Sequence, residues 1–246
     1  MNIIVIAAGT GKRLGIKTKD LPKYLIKVNE KTIMEYQQEM FEKIQYDKFV
    51  IITGPHKEKF TFTNAVYVED INYQHHDILG SLMAARDYIF GDVLIVYSDI
   101  IFDYSILSKI IESDVDIGIA VDMNWEKNYE NRTEHTTEEA ENVLLDGDKV
   151  LEIRKHIINK NNIGEFLGIM KLSAKGSKIF VKKFLDLERF HKGSFQNAPS
   201  LHKGYLTDII QELVNSKVNV KPIIVTGKWC EIDTNQDLEK ASIMFK

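Results

Sequence analysis

Behind an apolar run, Asn2-Ile3-Ile4-Val5-Ile6, the chain opens into Ala7-Ala8-Gly9-Thr10-Gly11-Lys12-Arg13-Leu14, a turn of small residues carrying two cations. Small side chains let the backbone come close to a ligand and aim its N–H groups at an anion, and Lys12 and Arg13 add positive charge. The chemistry this suits is the binding of nucleotide phosphates. Two familiar phosphate loops do not fit. A P-loop would need glycine where Ile6 stands and Ser or Thr where Arg13 stands. A dinucleotide fingerprint would need glycine at Leu14, and Gly15 comes one place late. A third cation, Lys23, follows in Leu21-Pro22-Lys23-Tyr24-Leu25, where Pro22 fixes the chain direction. Taken alone, the stretch reads equally well as an ordinary glycine-rich strand-to-helix turn.

Two carboxylates stand where ligands bind. Asp99, in Val96-Tyr97-Ser98-Asp99-Ile100, follows an apolar strand at its carboxyl end, where open α/β sheets place their ligands. Asp233 lies far along the chain in Trp229-Cys230-Glu231-Ile232-Asp233-Thr234. Either Asp by itself reads more simply as a helix cap or turn residue. The adjacent His75 and His76 point in different directions from a loop and are expected to be solvated.

Taken together, the opening Ala-Ala-Gly-x-Gly-x-Arg-Leu, the Pro-Lys that follows and the late Glu-Ile-Asp-Thr make the chain resemble the sugar-phosphate and choline-phosphate type nucleotidyltransferases, from Ile3 to Ala241. The resemblance implies transfer of a nucleotidyl group from a nucleoside triphosphate to a small phosphorylated molecule, with release of pyrophosphate. The nucleophile is an already ionised phosphate, so no Ser, Cys or His nucleophile and no general base is needed. It implies Arg13, Lys23, Asp99 and Asp233 as catalytic residues, with Asp99 and Asp233 holding Mg²⁺ through hard oxygen ligands. Nucleotide binding falls on Ala7, Ala8, Gly9, Thr10, Gly11, Lys12 and Ser98. It also falls on Gly80 and Ser81 in Asp77-Ile78-Leu79-Gly80-Ser81-Leu82, with Gly80 permitting close backbone approach and Ser81 reaching the base edge.

Three further segments narrow the resemblance to cytidylyltransferases acting on phosphocholine and aminoalkylphosphonates: Tyr97 to Phe102, Val121-Asp122-x-x-Trp125-x-x-x-Tyr129-x-x-Arg132, and Glu165 to Ser173. They imply CTP, or another nucleoside triphosphate, as donor and a small phosphorylated or phosphonate acceptor. Arg132 and Lys155 would bind its anionic group, with Glu165 or Asp208 near its ammonium or on the ribose. Trp125 and Tyr129 suit a cationic head group, but the aromatic density of a choline cage is missing, which leaves an aminoalkylphosphonate or a phosphorylated amino acid at least as suitable. Surface polysaccharide or phosphonate biosynthesis is the implied setting, and a homodimer is compatible with it. The alternatives are a sugar-1-phosphate nucleotidyltransferase and a nucleotide-binding regulatory module without turnover. A dehydrogenase is disfavoured, because Thr53-Gly54-Pro55-His56 stands where an acidic residue should bind ribose.

These residues need a scaffold that brings distant strand ends together. Apolar runs at 49–53, 93–97 and 116–121 end in polar or turn residues, and amphipathic stretches at 32–44, 79–89 and 105–112 lie between them. Further on come a strand near 166–172, helices near 177–190 and 207–214, a strand at 220–225 and a last helix near 236–245. This alternation predicts an α/β fold, a Rossmann-like mixed, mostly parallel sheet with helices on both faces, of the nucleotide-diphospho-sugar transferase type. A single domain over residues 1–246 is expected, with a polar excursion at about 124–142 forming an arm or lid.

Composition limits the partners. With 246 residues, 32 basic and 36 acidic side chains, the net charge of −4 gives no overall attraction for nucleic acid or an anionic membrane. One cysteine allows no internal disulfide and no zinc cluster, which fits a reducing cytoplasm. The apolar run near Met1 lacks a basic flank and is broken by Gly9 to Arg13, so a buried first strand is expected rather than a signal peptide.

Overall fold

Every residue of strand β1, Asn2–Ala7, is buried, as an apolar strand requires when helices cover both faces of its sheet. The computed structural model describes residues 1–158 and 161–246. After β1 come a small hairpin, β2 (Lys27–Val28) and β3 (Lys31–Thr32), helix α1 (Ile33–Phe41), strands β4 (Lys48–Thr53) and β5 (Val66–Glu69), and helix α2 (Ile78–Ala84). Strands β6 (Val93–Tyr97) and β7 (Ile100–Phe102), helix α3 (Tyr104–Glu112) and strands β8 (Ile117–Asp122), β9 (Asn142–Asp146), β10 (Lys149–Arg154) and β11 (Ile163–Leu172) follow. The chain ends with α4 (Ala174–Phe190), α5 (Leu206–Asn215), β12 (Lys221–Ile224), β13 (Trp229–Glu231) and α6 (Asn235–Met244).

Nine strands form one mixed sheet in the order β10-β9-β11-β6-β1-β4-β5, with β8 beside β11 and β12 beside β8. The run β6-β1-β4-β5 is parallel, so β1, β4 and β6 all end on one edge, which receives the glycine turn and Asp99. Strand periodicity divides the core. Ile3, Val5, Phe49 and Ile51 pack with α1, α3 and α6 on one face, while Ile4, Ile6, Val50 and Ile52 pack with α2, α4 and α5 on the other.

Two features were not expected. Val143 to Ile153 forms a hairpin, in which Asp146 pairs with Lys149 across Gly147-Asp148 and Gly147 has φ +58°, a two-residue turn that needs such a glycine. Strand β11 changes register between Phe166 and Met170. Gly168 sits in this irregularity with φ +66°, and a Cβ there would meet the Tyr97 ring at 2.3 Å. Glycine therefore lets the Tyr97 ring lie directly on the backbone of β11. The helix expected over 79–89 stops at Ala84. The chain tightens into a turn over Arg86–Tyr88, and the Tyr88 carbonyl accepts from Asn2 Nδ2 at 2.9 Å, which ties the turn to the first strand.

Residues 124–142 lie docked along α6. The Gln236 side chain accepts from Thr133 N at 2.8 Å and donates to Asn131 O at 2.8 Å, Lys240 donates to Asn128 O, and Trp125 Nε1 donates to Ile163 O at 3.2 Å. Asp237, 0% exposed, is the central anchor. It receives Arg132 Nε at 2.8 Å and caps the start of α6 by accepting from Asp233 N at 3.0 Å and Thr234 N at 2.9 Å. Asp237→Ala would strand a buried guanidinium and uncap the helix, so we expect a loss of about 3–5 kcal/mol in urea unfolding. A change below about 1 kcal/mol would show that the excursion is held by its other contacts.

Candidate active site

The glycine turn closes β1 onto a tight helical segment, Lys12–Thr18, with Gly11 in the left-handed region at φ +61°. The Thr18 hydroxyl donates to Gly11 O at 2.7 Å, fixing the turn from behind. Two cavities meet at this loop. One, of about 330 Å³, is lined by Arg13, Lys23, Tyr97, Ser98, Asp99, His135, Glu141, Lys155, Glu165, Glu231 and Asp233, among others. The second, of about 990 Å³, runs along the other side of the loop past Ala8, Lys19, Pro22, Ser81 and Lys203. Ile6, Gly9, Thr10, Lys12, Ile78 and Tyr205 border both.

In the smaller cavity, residues far apart in sequence converge. Strand β13 pairs antiparallel with β7, and Ile232 N donates to Asp99 O at 2.8 Å, which brings the Asp233 segment beside the end of β6. Lys23 Nζ lies between the carboxylates, 2.8 Å from Asp99 Oδ2 and in contact with Asp233 Oδ1. Arg13 Nη1 is 3.0 Å from Asp233 Oδ2. Burial alone would disfavour charge on Lys23, but Asp99 and Asp233 outweigh it and hold its pKa above the usual lysine value. Burial likewise works against the Asp233 carboxylate, but Lys23, His135 and Arg13 together hold it well below the ordinary range. Asp99 Oδ1 is buried with no hydrogen-bond partner among the described residues.

The smaller cavity also has an acidic wall. Glu165, 3% exposed, accepts from Tyr129 Oη through one oxygen, and its other oxygen has no partner among the described residues. Burial holds its carboxyl well above the usual range. Enclosure and then Glu231 push Glu141 up to about 8. Enclosure followed by Asp233 and Asp99 push Glu231 up to about 7. Lys155 faces them and pairs with Glu139 at 2.7 Å.

Several expected site residues are positioned differently. Asp208 lies outside both cavities, its carboxylate accepting from Tyr205 N at 2.8 Å and Asn197 N at 3.3 Å. It caps α5, which corrects its assignment to the acceptor. Arg132 is buried beneath the excursion on Asp237, with its guanidinium 4.6 Å from the Tyr129 ring centroid, so it supports the cleft from behind rather than lining it. Gly80 faces inward, where a Cβ would meet His202 O at 2.5 Å and the His76 ring at 2.7 Å. Its small size serves packing between α2 and its neighbours. The Ser81 hydroxyl donates to buried Asp70 at 2.7 Å, leaving only its lone pairs to meet a ligand in the larger cavity. His76 is not freely solvated, since it lies 2.9 Å from Asp70 and stacks on His202 at 5.1 Å. Ala7 ends β1 inside the sheet, while Ala8 borders the larger cavity.

Residues that sequence reasoning passed over complete the site. Glu231 and Asp233 are two apart on an extended segment, a spacing that puts both on one side. Tyr205, Glu139 and Glu141 also line the cleft. His135, 2% exposed, enters from the excursion with Nδ1 3.2 Å from Asp233 Oδ2 and Nε2 3.6 Å from Glu231 Oε2. Its neighbours have no periodicity that would have marked it.

A cleft that mixes paired carboxylates with fixed cations beside a backbone anion loop is suited to nucleotidyl transfer. The chain belongs to the family of MobA-like NTP transferase domains, whose model matches residues 3–127. Over 97% of its length it is 26% identical to the CTP:phosphoglutamine cytidylyltransferase of Campylobacter jejuni subsp. jejuni serotype O:2, covering 98% of that protein. Its fold is similar to the inositol-1-phosphate CTP transferase from T. maritima, with a TM-score of 0.75, 22% identity and coverage of 100% of this chain and 95% of that one. It is equally similar to the CTP:phosphocholine cytidylyltransferase from Streptococcus pneumoniae, with a TM-score of 0.75, 21% identity and coverage of 100% and 99%. The matched family span contains the loop, Lys23 and Asp99, while Asp233, His135 and the acidic wall lie beyond it.

Proposed function

We propose that the protein is a cytidylyltransferase that joins CMP from CTP to a small phosphorylated acceptor bearing a cationic group. The observation that carries this reading is the meeting of the two cavities at the glycine loop, along Gly9, Thr10 and Lys12, with Lys23 bridging Asp99 and Asp233 inside the smaller one. The larger cavity has room for a nucleoside. The smaller one is lined both by the cations Arg13, Lys23 and Lys155 and by the carboxylates Glu141 and Glu165, groups that a phosphate with an ammonium tail would match. The names of relatives that act on phosphoglutamine and phosphocholine agree with it.

An ionised acceptor phosphate oxygen forms a bond to the α-phosphorus of CTP. The bond from that phosphorus to the bridging oxygen of the β-phosphate breaks, and its electron pair departs with pyrophosphate. Both partners are anions, so the chain's contribution is charge compensation and positioning. Loop N–H groups and Lys12 receive the triphosphate, Arg13 and Lys23 neutralise charge near the α-phosphorus, and Lys155 meets the acceptor phosphate. Nucleotidyltransferases of this kind use a divalent metal, and the residues fit Mg²⁺: Asp99 Oδ1 is a buried oxygen with no partner among the described residues, and Asp233 supplies a second hard donor. Held by these two, Mg²⁺ would supply Lewis-acid stabilisation of phosphate charge.

No helix of the described residues is long and apolar enough to cross a membrane. Cys230 is a buried free thiol, which agrees with a reducing, cytoplasmic setting. A diphosphate-linked product of this kind serves as donor to a later transferase, as in surface polysaccharide or phosphonate assembly.

Glu141 gives the reading a pH signature. An ammonium group binds the ionised carboxylate, so acceptor affinity is expected to rise with pH until Glu141 has ionised, near 8, above the acceptor's own phosphate transition at about 6. Glu141→Gln is expected to flatten that rise in calorimetric titrations. The function itself is tested by pyrophosphate release with CTP, UTP, ATP and GTP against phosphoglutamine, phosphocholine, aminoethylphosphonate, inositol 1-phosphate and a sugar 1-phosphate. Release is expected with CTP and a cationic acceptor; release with the sugar phosphate alone would overturn the acceptor assignment.

A further inference from the structure

We propose that Asp70 is a positioning residue for base selection, holding the Ser81 hydroxyl as a hydrogen-bond acceptor so that the larger cavity favours cytosine over uracil. The inference rests on the reading above that this cavity receives the nucleoside, and it names the group that sets which base fits. Asp70 directly follows β5, with its backbone N–H on Thr53 O at 2.8 Å, and it is 1% exposed. Its carboxylate gathers three donors. Asn72 N reaches Oδ1 at 3.0 Å, Ser81 Oγ reaches Oδ2 at 2.7 Å, and His76 Nδ1 lies 2.9 Å from Oδ1. Ser81 and His76 both border the larger cavity while Asp70 stands behind them, so the carboxylate acts on a base only through these two side chains.

A carboxylate accepts hydrogen bonds and has none to donate, so each of these hydrogens is committed to Asp70. The Ser81 hydroxyl carries one hydrogen, and what remains to it are lone pairs. His76 Nδ1 likewise carries its hydrogen toward Asp70, which leaves Nε2 of the neutral ring an acceptor. The plane of that ring is held by its stack on His202, with centroids 5.1 Å apart and 17° between planes. Cytosine carries an exocyclic amino group, a pair of donors, where uracil carries a carbonyl oxygen. The amino group satisfies the Ser81 lone pairs, whereas the carbonyl would set acceptor against acceptor, the kind of mismatch by which a polar site rejects a close analogue. The backbone also fixes which carboxylate oxygen does what. In Asp70→Asn the Asn72 N–H keeps the amide oxygen at the Oδ1 position, which turns the amide NH₂ toward Ser81. The hydroxyl would then accept from residue 70 and donate into the cavity, where the uracil carbonyl can receive it.

The test is calorimetric titration of the whole protein with CTP and with UTP in the absence of acceptor, which separates base choice from the transfer reaction. The wild type is expected to bind CTP more tightly. Asp70→Asn is expected to move the ratio of CTP to UTP affinity at least about fivefold toward UTP, by tightening UTP as well as weakening CTP. Ser81→Ala is expected to lower the same ratio at least about fivefold, chiefly by weakening CTP. A merely structural Asp70 would weaken both nucleotides alike and leave the ratio where it was. If Asp70→Asn fails to fold by circular dichroism, Ser81→Ala decides the matter, since the ratio moves there only when the held hydroxyl faces the base. A wild type that prefers CTP, with smaller shifts of the ratio in the folded variants, would overturn the role of Asp70 and leave the cytidylyltransferase reading in place. A wild type that prefers UTP, or binds neither nucleotide, would overturn both.

Discussion

Asp233→Asn is expected to lower turnover by about 10³-fold or more while leaving the folded structure intact. One side chain meets Lys23, Arg13 and His135 at once, so the loss is not that of a single ligand. A neutral amide keeps the size of the group and its capping neighbourhood, but it gives up the charge that holds Lys23 and Arg13 in register and one of two hard oxygen donors. Asp99→Asn is expected to match it in magnitude, because Asp99 Oδ1 is a buried oxygen with no partner among the described residues. The measurement is the initial rate of pyrophosphate release, with a thermal melt as control. Turnover within about tenfold of the wild type for either variant would remove that residue from the reaction centre.

Lys23→Ala is the second large effect, expected to cost about 10²–10³-fold in kcat with a smaller change in the KM for CTP. Lys23 lies in the smaller cavity between Asp99 and Asp233, close to where the proposed reaction puts the α-phosphorus, whereas the triphosphate tail would also be received by the loop N–H groups and Lys12. Removing the ammonium takes away the one cation that Asp99 and Asp233 share, leaving Asp233 to Arg13 and His135. The free protein should then lose stability, and a divalent ion should restore it. A mainly structural lysine would instead lower stability without shifting the ratio of kcat to KM effects. Lys23→Arg keeps the charge but not the compact shape between two carboxylates, and partial recovery of rate is expected there.

Much of the scaffold was legible because its signals are local. Apolar runs such as Val93–Tyr97, closed by Ser98-Asp99, identify both a buried strand and its functional end. Alternation of parallel strands with amphipathic helices then places helices on both faces. Turn chemistry was readable but was passed over at Gly147-Asp148, where a two-residue turn between alternating apolar segments marks the β9–β10 hairpin. The β11 irregularity had no local mark. Gly168 is required by the Tyr97 ring from another strand, and such a demand exists only once the two segments pack.

The site divides along similar lines. Arg13, Lys23, Asp99 and Asp233 stand in recognisable stretches, and they do share one cleft. A functional carboxylate and a capping one have the same residue type, however, and Asp208 at the third position of α5 behaves as the latter. The partnership of Arg132 with Asp237 and the approach of His135 to Asp233 span about a hundred residues of sequence. Nothing in the polar composition of 124–142 announces either, because that segment owes its position to contacts with α6 rather than to its own periodicity.

The central claim is that the acceptor's own phosphate oxygen attacks the α-phosphorus of CTP. Turnover with an acceptor whose phosphate carries ¹⁸O, followed by ³¹P NMR, tests it directly. The account predicts ¹⁸O in the bridge of a new CMP–acceptor diphosphate and unlabelled pyrophosphate. Label in the pyrophosphate, or CTP cleaved to CMP without any diphosphate product, would contradict it.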